Sequence, residues 1–484
     1  MAETLTPDIC VIGAGSGGLV VASAAAAFGV DVVLIEKGKM GGDCLNYGCV
    51  PSKAIIASAK HAYSMQQASK FGVHMPSGRA KTKASQPKID YQQVHDHIHS
   101  VIDTIAPMDS QERFESLGVT VLRGAARFTD AKTVVCNDTT IKARRIVVAT
   151  GSEAFVPPIP GLDTVNYFTN ETLFDRTEPA GRMIVIGAGP IGMEMAQAHH
   201  RLGAQVTVIE GFKALANDDP ELTSIVLDKI REEGVEIREG VKVAKVAKTA
   251  SGGVALTLEK ESGEEIIEGD TLLVAAGRAA TLEGLGLDKA GIEHTKRGIK
   301  VDKTMRTTNR RVYAIGDAAG GLQFTHVAGY HAGLVIRSIL FRMRAKENTH
   351  IIPWCTYTQP ELAHVGHTEK TAREAFGNVT ILRWPYAEND RAQAEKKTTG
   401  LIKMVTRKNG KIEGVSIVGD MAGEMINMWA LAISQGLKVR DVAGYVPPYP
   451  TMSEIGKRAA TTFYTESTKN LWVRRVIRFL RMFG

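Results

Sequence analysis

The sequence predicts an α/β protein: two parallel-sheet units of one design, then a smaller C-terminal α+β domain. Three observations predict it. Residues 8–36 and 182–210 repeat the same order of apolar strand, glycine turn, helix and second apolar strand. Short apolar strands closing on glycine follow each copy, at 146–151 and 272–278. From about residue 351 the character changes, and strand-like segments (401–419) alternate with helix-like ones (422–436).

The first copy reads DICVIGAGSGGLVVASAAAAFGVDVVLIE and the second RMIVIGAGPIGMEMAQAHHRLGAQVTVIE. Gly13, Gly15 and Gly18 in one match Gly187, Gly189 and Gly192 in the other, and each copy reaches its terminal Glu, Glu36 or Glu210, 23 residues after its first glycine. A lone G-x-G-x-x-G is weak evidence, but two copies in matched strand–turn–helix–strand settings are strong. The first glycine makes the tight turn, and the second lets backbone approach a pyrophosphate. The third lets the helix pack on the strand, so that its N-terminus faces the phosphates. The terminal carboxylates are then placed to accept hydrogen bonds from a ribose 2′-OH. Two Rossmann-like dinucleotide sites imply electron traffic between two cofactors, one a flavin and the other a nicotinamide. The follow-on segments Ile146–Gly151 (with Thr150) and Leu272–Arg278 (with Gly277) read as crossover strands, and a third, Val312–Asp317, ends in an acid.

Composition bounds the rest. The chain has 484 residues, 44% hydrophobic and 23% charged, which argues for roughly three soluble domains. No run of about 18 uncharged apolar residues is present, so no helical span is expected. The acidic start, Met1-Ala2-Glu3-Thr4, reads as no signal peptide. Lys+Arg exceed Asp+Glu by 59 to 52, a net charge of +7. Residues 75–90, read as a polar surface loop before a helical run at 91–106, carry net +3, and residues 465–484 carry net +4. These two segments hold the whole excess, and no basic stripe interleaved with aromatics appears, so nucleic acid is excluded as a partner. Five cysteines cannot form a disulfide framework in a chain this long, and a reducing, cytoplasmic setting is expected.

Chemistry concentrates in Gly41-Gly42-Asp43-Cys44-Leu45-Asn46-Tyr47-Gly48-Cys49-Val50-Pro51-Ser52-Lys53. Two cysteines separated by four residues can close a small disulfide loop. Cys49 falls at the expected start of a helix, where the dipole favours a thiolate, and Lys53 follows one turn later on the same face. Half a zinc site is the competing reading, but zinc wants four ligands and no second cysteine pair exists. Cys10, Cys136 and Cys355 are isolated and read as core residues; no metal site is expected.

With these motifs in order, the sequence resembles the FAD-dependent pyridine nucleotide–disulfide oxidoreductases, among them dihydrolipoamide dehydrogenase, glutathione reductase and mercuric reductase. The resemblance implies a glutathione-reductase-like fold with a C-terminal dimerisation domain, signalled by Gly419, Ala422, Gly423 and Glu424, and hence a homodimer. It implies FAD and NAD(P)H as cofactors. Cys44 would be the interchange thiol and Cys49 the thiol beside the flavin, the two forming a redox disulfide. Lys53 and Glu194 resemble the family's ion pair near the flavin, and Asp317 the acid holding its ribityl chain. The segment carrying His326 and Ala328 resembles the one lining the isoalloxazine. On this basis the domains are expected at 1–152 and 278–348 (FAD), 153–277 (NAD(P)) and 349–464 (dimerisation), with a basic tail at 465–484. Glu210 favours NADH by repelling a 2′-phosphate, although Lys213 lies nearby.

The sequence also departs from the family. Where lipoamide- and glutathione-type enzymes carry His-Pro-Thr…Glu, this chain reads Tyr449-Pro450-Thr451-Met452-Ser453-Glu454. A tyrosine, with a reference pKa of about 10, is a poor proton shuttle near neutrality. Mercuric reductases have a similar Tyr, and the segments around Asp109 and Asp390 look like theirs too. The vicinal C-terminal cysteine pair of a mercuric reductase is not found, since the last cysteine is Cys355. Tyr449 and Glu454 are therefore candidate active-site residues with an unassigned acceptor. The expected activity is NAD(P)H-dependent reduction of a thiol-reactive acceptor. Dihydrolipoamide dehydrogenase, or a flavin-level quinone or metal reductase at a membrane surface, are the alternatives. Residues 472–483 form a basic amphipathic helix. It either packs on its own protein with its arginines solvated, the slightly favoured reading, or lies on the inner face of a membrane.

Overall fold

The computed structural model describes residues 3–74, 87–260 and 263–483. The chain divides into two compact units. One comprises Met1–Ala188, Ala198–Gly211 and Val241–Glu347; the other comprises Gly189–Gln197, Phe212–Gly240 and Asn348–Gly484.

In the first unit, a parallel sheet of five strands runs in the order Val312–Ala314, Arg145–Val148, Ile9–Ile12, Val32–Glu36, Thr120–Arg123. Its central strand, Ile9–Ile12, is an unbroken apolar run buried along its whole length. That is the pattern expected of a parallel strand covered on both faces. The helix Ser16–Ala27 packs on Thr325–Leu340, and small residues set their separation: a Cβ on Gly17 would lie 3.2 Å from the Ala328 Cβ. The second fingerprint builds a separate parallel set, with Arg182–Ile186 between Gln205–Glu210 and Thr271–Val274. The three crossover strands thus join the two sheets as expected. An antiparallel ribbon of Ser152–Ala154 with Arg278–Ala280 also lies in this unit. Cys10 and Cys136 are buried in one apolar cluster, the environment expected for core thiols. The basic loop read at 75–90 falls, over 75–86, outside the described residues; Asp90 caps the helix Tyr91–Ile105 that follows.

The second unit holds a five-stranded antiparallel sheet, ordered Trp354–Thr356, Glu361–Gly366, Ile412–Gly419, Leu401–Arg407, Val379–Pro385. The helix Glu454–Thr462 lies close against the buried Trp429, and only glycine fits at 456, where a Cβ would meet the indole at 2.4 Å. Cys355 is partly buried against this core. One expectation is overturned here. The helix Leu471–Leu480 has no buried residue, so the tail does not pack on the rest of its own chain. Its apolar side chains share one side of the helix and its arginines the other, and neither side is seated against the rest of the chain.

This unit also buries a cation. The Lys403 ammonium meets Asp219 and Glu221 at 2.8 Å and Glu369 at 2.9 Å. Hydrogen bonds from Arg383, with help from Lys403, hold the Glu221 carboxyl down to about 2. Removing the central cation leaves carboxylates facing one another, so Lys403→Met is expected to cost about 3 kcal/mol, read from the urea midpoint. Because the folded pKa of Glu221 is depressed, its contribution is full above its ordinary value of 4.5 and is lost as pH falls toward 2. Arg383→Gln is expected to flatten that acid limb.

Candidate active site

The first fingerprint packs backbone against backbone. Gly13 has φ +105°, and a Cβ there would sit 2.4 Å from the Ala149 carbonyl oxygen; a Cβ on Gly18 would sit 1.8 Å from that of Gly13. Both positions therefore exclude side chains. At Gly15, the N-cap of the helix Ser16–Ala27, no side chain caps the first-turn amides. The Glu36 carboxylate accepts from the Ala14 and Gly38 amides, both at 2.6 Å, and so fastens the glycine turn to the strand end. The second copy repeats the device. Gly187 has φ +105° with Ala275 oxygen 2.4 Å from a would-be Cβ, Glu210 accepts from the Ala188 amide at 2.8 Å, Gly189 faces open space and Gly192 is buried. Sequence reasoning assigned both glutamates to a ribose; it missed that each anchors its own turn.

The cysteine loop is docked on this turn. The Gly41 amide donates to Ala14 oxygen at 2.9 Å, and a Cβ on Gly42 would lie 2.7 Å from the Gly15 Cα. The helix Cys49–Gln67 begins at Cys49, where it was expected. Both cysteines are thiols in this structure, Cys44 half-buried and Cys49 exposed. A hydrogen bond from the Cys44 thiol pulls the Cys49 pKa down to about 6. The Thr325 hydroxyl, with its Oγ1 3.3 Å from the Cys49 Sγ, and the charge of Lys53 act in the same direction against the effect of burial. Cys44 is pushed up strongly, by its hydrogen bond to Cys49, by burial and by the neighbouring charge, although hydroxyls of Thr325 and Ser16 oppose this. When the pair carries a single proton, these contacts favour it on Cys44 and the negative charge on Cys49.

A polar chain leads away from this loop. Asp43 Oδ1 lies 3.0 Å from Arg278 Nη2 and accepts from Asn170 Nδ2 at 3.0 Å. Arg278 Nε donates to the Ser152 hydroxyl at 2.7 Å, and that hydroxyl donates to Asp317 at 2.5 Å. Burial raises the Asp317 pKa, and the Ser152 and Arg278 contacts offset part of the effect. Asp317 was expected here. Asp43, Arg278, Asn170 and Ser152 were not, and only the position of Arg278 directly after Gly277 could have flagged one of them. Thr150 donates to Thr281 oxygen at 2.8 Å; Gly151 and Gly277 turn the chain at φ +68° and +126°. His326 is exposed and stacks on Phe324 with ring centroids 5.3 Å apart, and Ala328 is packed between Gly17 and Gly316.

The remaining candidates belong to the second unit. Glu194 is buried and accepts from the Tyr357 amide at 2.9 Å. Glu454 opens its helix, with Arg458 at 3.9 Å. Tyr449 is 68% exposed and donates to Asp390 Oδ2 at 2.8 Å. That hydrogen bond and the Asp390 charge raise its pKa above the ordinary tyrosine value. No group of three or more His, Cys, Asp or Glu among the described residues is arranged to hold a metal ion.

Residues 7–332 match the family described as Pyridine nucleotide-disulphide oxidoreductase, and residues 352–460 match its dimerisation domain. The chain belongs to this family. It is 33% identical over 466 residues to mercuric reductase of Bacillus cereus, covering 96% of this chain and 72% of that protein. It is 33% identical over 475 residues to mercuric reductase of Streptomyces lividans, covering 96% and 97%. To dihydrolipoyl dehydrogenase of Bacillus subtilis it is 31% identical over 453 residues, covering 92% and 96%. The Cu(II) complex of the HOCl-induced flavoprotein disulfide reductase RclA from Escherichia coli aligns with a TM-score of 0.81 at 25% identity, covering 93% of this chain and 98% of that one. The oxidoreductase is thus a flavoprotein of the mercuric reductase and lipoamide dehydrogenase type, FAD-dependent and served by a pyridine nucleotide. Its residues fit such a group. The uncapped amides after Gly15 suit a pyrophosphate, and side-chain-free backbone lies where close approach is needed.

The thiol electrostatics can be checked directly. Ultraviolet thiolate absorbance of the reduced oxidoreductase is expected to rise with a midpoint near pH 6. Cys49→Ser is expected to abolish that step, and Thr325→Val to move it upward.

Proposed function

We propose that this chain passes electrons from NADH through FAD to a Cys44–Cys49 disulfide and on to a thiol-reactive acceptor, in the manner of a mercuric reductase. Bound FAD supplies the hydride-accepting and electron-relaying chemistry. In this reading Gly13, Gly15, Gly18, Glu36, Thr150, Gly151, Asp317, His326 and Ala328 hold FAD. Gly187, Gly189, Gly192, Glu210 and Gly277 hold the nucleotide, and Lys53 and Glu194 take the charged roles the resemblance assigns them. Two electrons and one proton open the disulfide to a Cys44 thiol and a Cys49 thiolate, the protonation pattern that the hydrogen bonds favour.

The observation that carries the choice of acceptor is Tyr449. Exchange with a disulfide substrate must deliver a proton to a departing thiolate. The family's histidine does this from the other subunit of a homodimer, and we infer the same place for Tyr449, with Glu454 behind it. A tyrosine whose pKa is raised by Asp390 releases no proton near neutrality. A soft metal ion or similar electrophile, captured directly by thiolate, needs no such proton. The alternative of dihydrolipoamide dehydrogenase is disfavoured on the same ground. A second reading, flavin-level reduction of a quinone or metal ion with the oxidoreductase held at the inner face of a membrane through residues 472–483, draws on the exposed tail helix.

Anaerobic NADH titration is expected to produce a long-wavelength flavin–thiolate band that Cys49→Ser removes. In an acceptor screen of lipoamide, other disulfides, Hg(II) and quinones, Cys44→Ser is expected to lower turnover with the true thiol-reactive acceptor at least a hundredfold. Unchanged turnover would exclude the disulfide route. Tyr449→His is expected to raise lipoamide turnover by roughly 100-fold, the lower end of what a matched acid–base group contributes. Glu210→Ala is expected to narrow the preference for NADH over NADPH by about tenfold, measured as the ratio of kcat/KM values.

A further inference from the structure

The helix Leu471–Leu480 caps itself, with Asn470 accepting from the Trp472 amide, and yet buries nothing. Trp472, Phe479 and Phe483 are 73%, 56% and 74% exposed. With Val476 and Leu480 they line one side of the helix at intervals of three and four residues, while Arg474, Arg478 and Arg481 lie opposite. The Arg475 guanidinium stacks over the Trp472 ring at 5.5 Å to its centroid, at the border between the two sides. No Asp or Glu occurs from residue 467 to the end of the chain.

Ten residues make a helix of about 15 Å, half of the roughly 30 Å needed to span a bilayer, and no described helix is long and apolar enough to cross one. A helix of this length can cover its apolar side by lying in the plane of an interface. Uncompensated arginines on the other side then select for negative headgroups. Tryptophan at the border suits the headgroup level, where its ring is apolar and its N–H stays wet.

We propose that residues 471–483 dock this oxidoreductase on anionic lipid, with the helix parallel to the surface, Trp472, Val476, Phe479, Leu480 and Phe483 inserted, and the arginines against phosphate headgroups. This rests on the membrane reading of the tail given above and adds the class of lipid. It is independent of which acceptor the thiols serve.

The test is co-sedimentation of the full chain, loaded with FAD, with vesicles of phosphatidylglycerol or of phosphatidylcholine. The full chain is expected to pellet with phosphatidylglycerol, to pellet far less with phosphatidylcholine, and to be released by salt. A variant ending at Thr468 and the double variant Phe479→Glu/Phe483→Glu are expected to stay in solution. Each Arg→Glu change at 474, 478 or 481 is expected to weaken partitioning by about fivefold or more. NADH oxidation without vesicles should be the same in all of them, which establishes that they fold. Equal pelleting with the two lipids would overturn the lipid class while leaving membrane contact standing. Equal pelleting of the full chain and the shortened variant would overturn both. Loss of dimer mass in the shortened variant would assign the apolar side to a second copy and overturn the proposal.

Discussion

The contact on which the active site depends is the approach of bare backbone around Gly13, Gly15 and Gly18. With a Cβ at Gly18 only 1.8 Å from the Gly13 oxygen, one methyl group would push the helix Ser16–Ala27 off its strand. The same glycine turn receives the Gly41–Gly42 corner, so the fingerprint helps to position the loop bearing Cys44. That corner also adopts φ values of +86° and +63°, which glycine reaches at low cost. Displacement of the helix would carry Ser16 away from the thiols together with the uncapped amides. The candidate nucleotide turn and the thiol loop thus share one structural support.

On that support the charge of the thiol pair is set by neighbours that converge from distant parts of the chain. Thr325 arrives at the start of one helix, Ser16 at the start of another and Lys53 one turn beyond Cys49 itself. All three favour the ionised form of the pair, by donation or by charge, and Asp43 opposes them at Cys49. Arg278 draws Asp43 toward Ser152 and Asp317, which ties the loop to the acid expected beside the flavin. Removing Arg278 would therefore act on two carboxylates at once, one next to a thiolate and one largely buried. Their energies should not be additive.

This arrangement marks the boundary of what a single sequence discloses. The repeat was legible because glycine and acid spacing encode a local geometry, and the helix start at Cys49 followed from the same logic. The parallel strands were legible because burial on both faces demands unbroken apolar runs. Asp43, Asn170 and Arg278 were not, because their partnership is made by tertiary approach across more than a hundred residues and leaves no periodic trace. The turn-anchoring contacts of Glu36 and Glu210 were hidden for a related reason: a carboxylate at a strand end has the same spacing whether it faces a ribose or its own turn. The tail failed differently. Its amphipathic pattern was read correctly as a helix, but a pattern states only that one side seeks an apolar surface, not whose surface it is.

The exchange of histidine for Tyr449 then has a consequence for how the parts fit together. The ionisation of the thiol pair is set by Cys44, Thr325 and Lys53 against burial and Asp43, all within the loop and the elements around it. In the reading proposed above, the Tyr449–Asp390 hydrogen bond withholds proton delivery to a leaving group, because a phenol that donates to a carboxylate is held in its neutral form. On that reading, a scaffold changed in this one respect would still reduce its own disulfide but discriminate among acceptors by whether they demand a proton from the protein. Electrophiles that combine with sulfur, or that take electrons one at a time without a leaving thiolate, pass that filter, and dithiol carriers are slowed by it. Selectivity in this reading comes from a missing proton transfer at the rim, while the flavin-side electrostatics stay as the fold dictates.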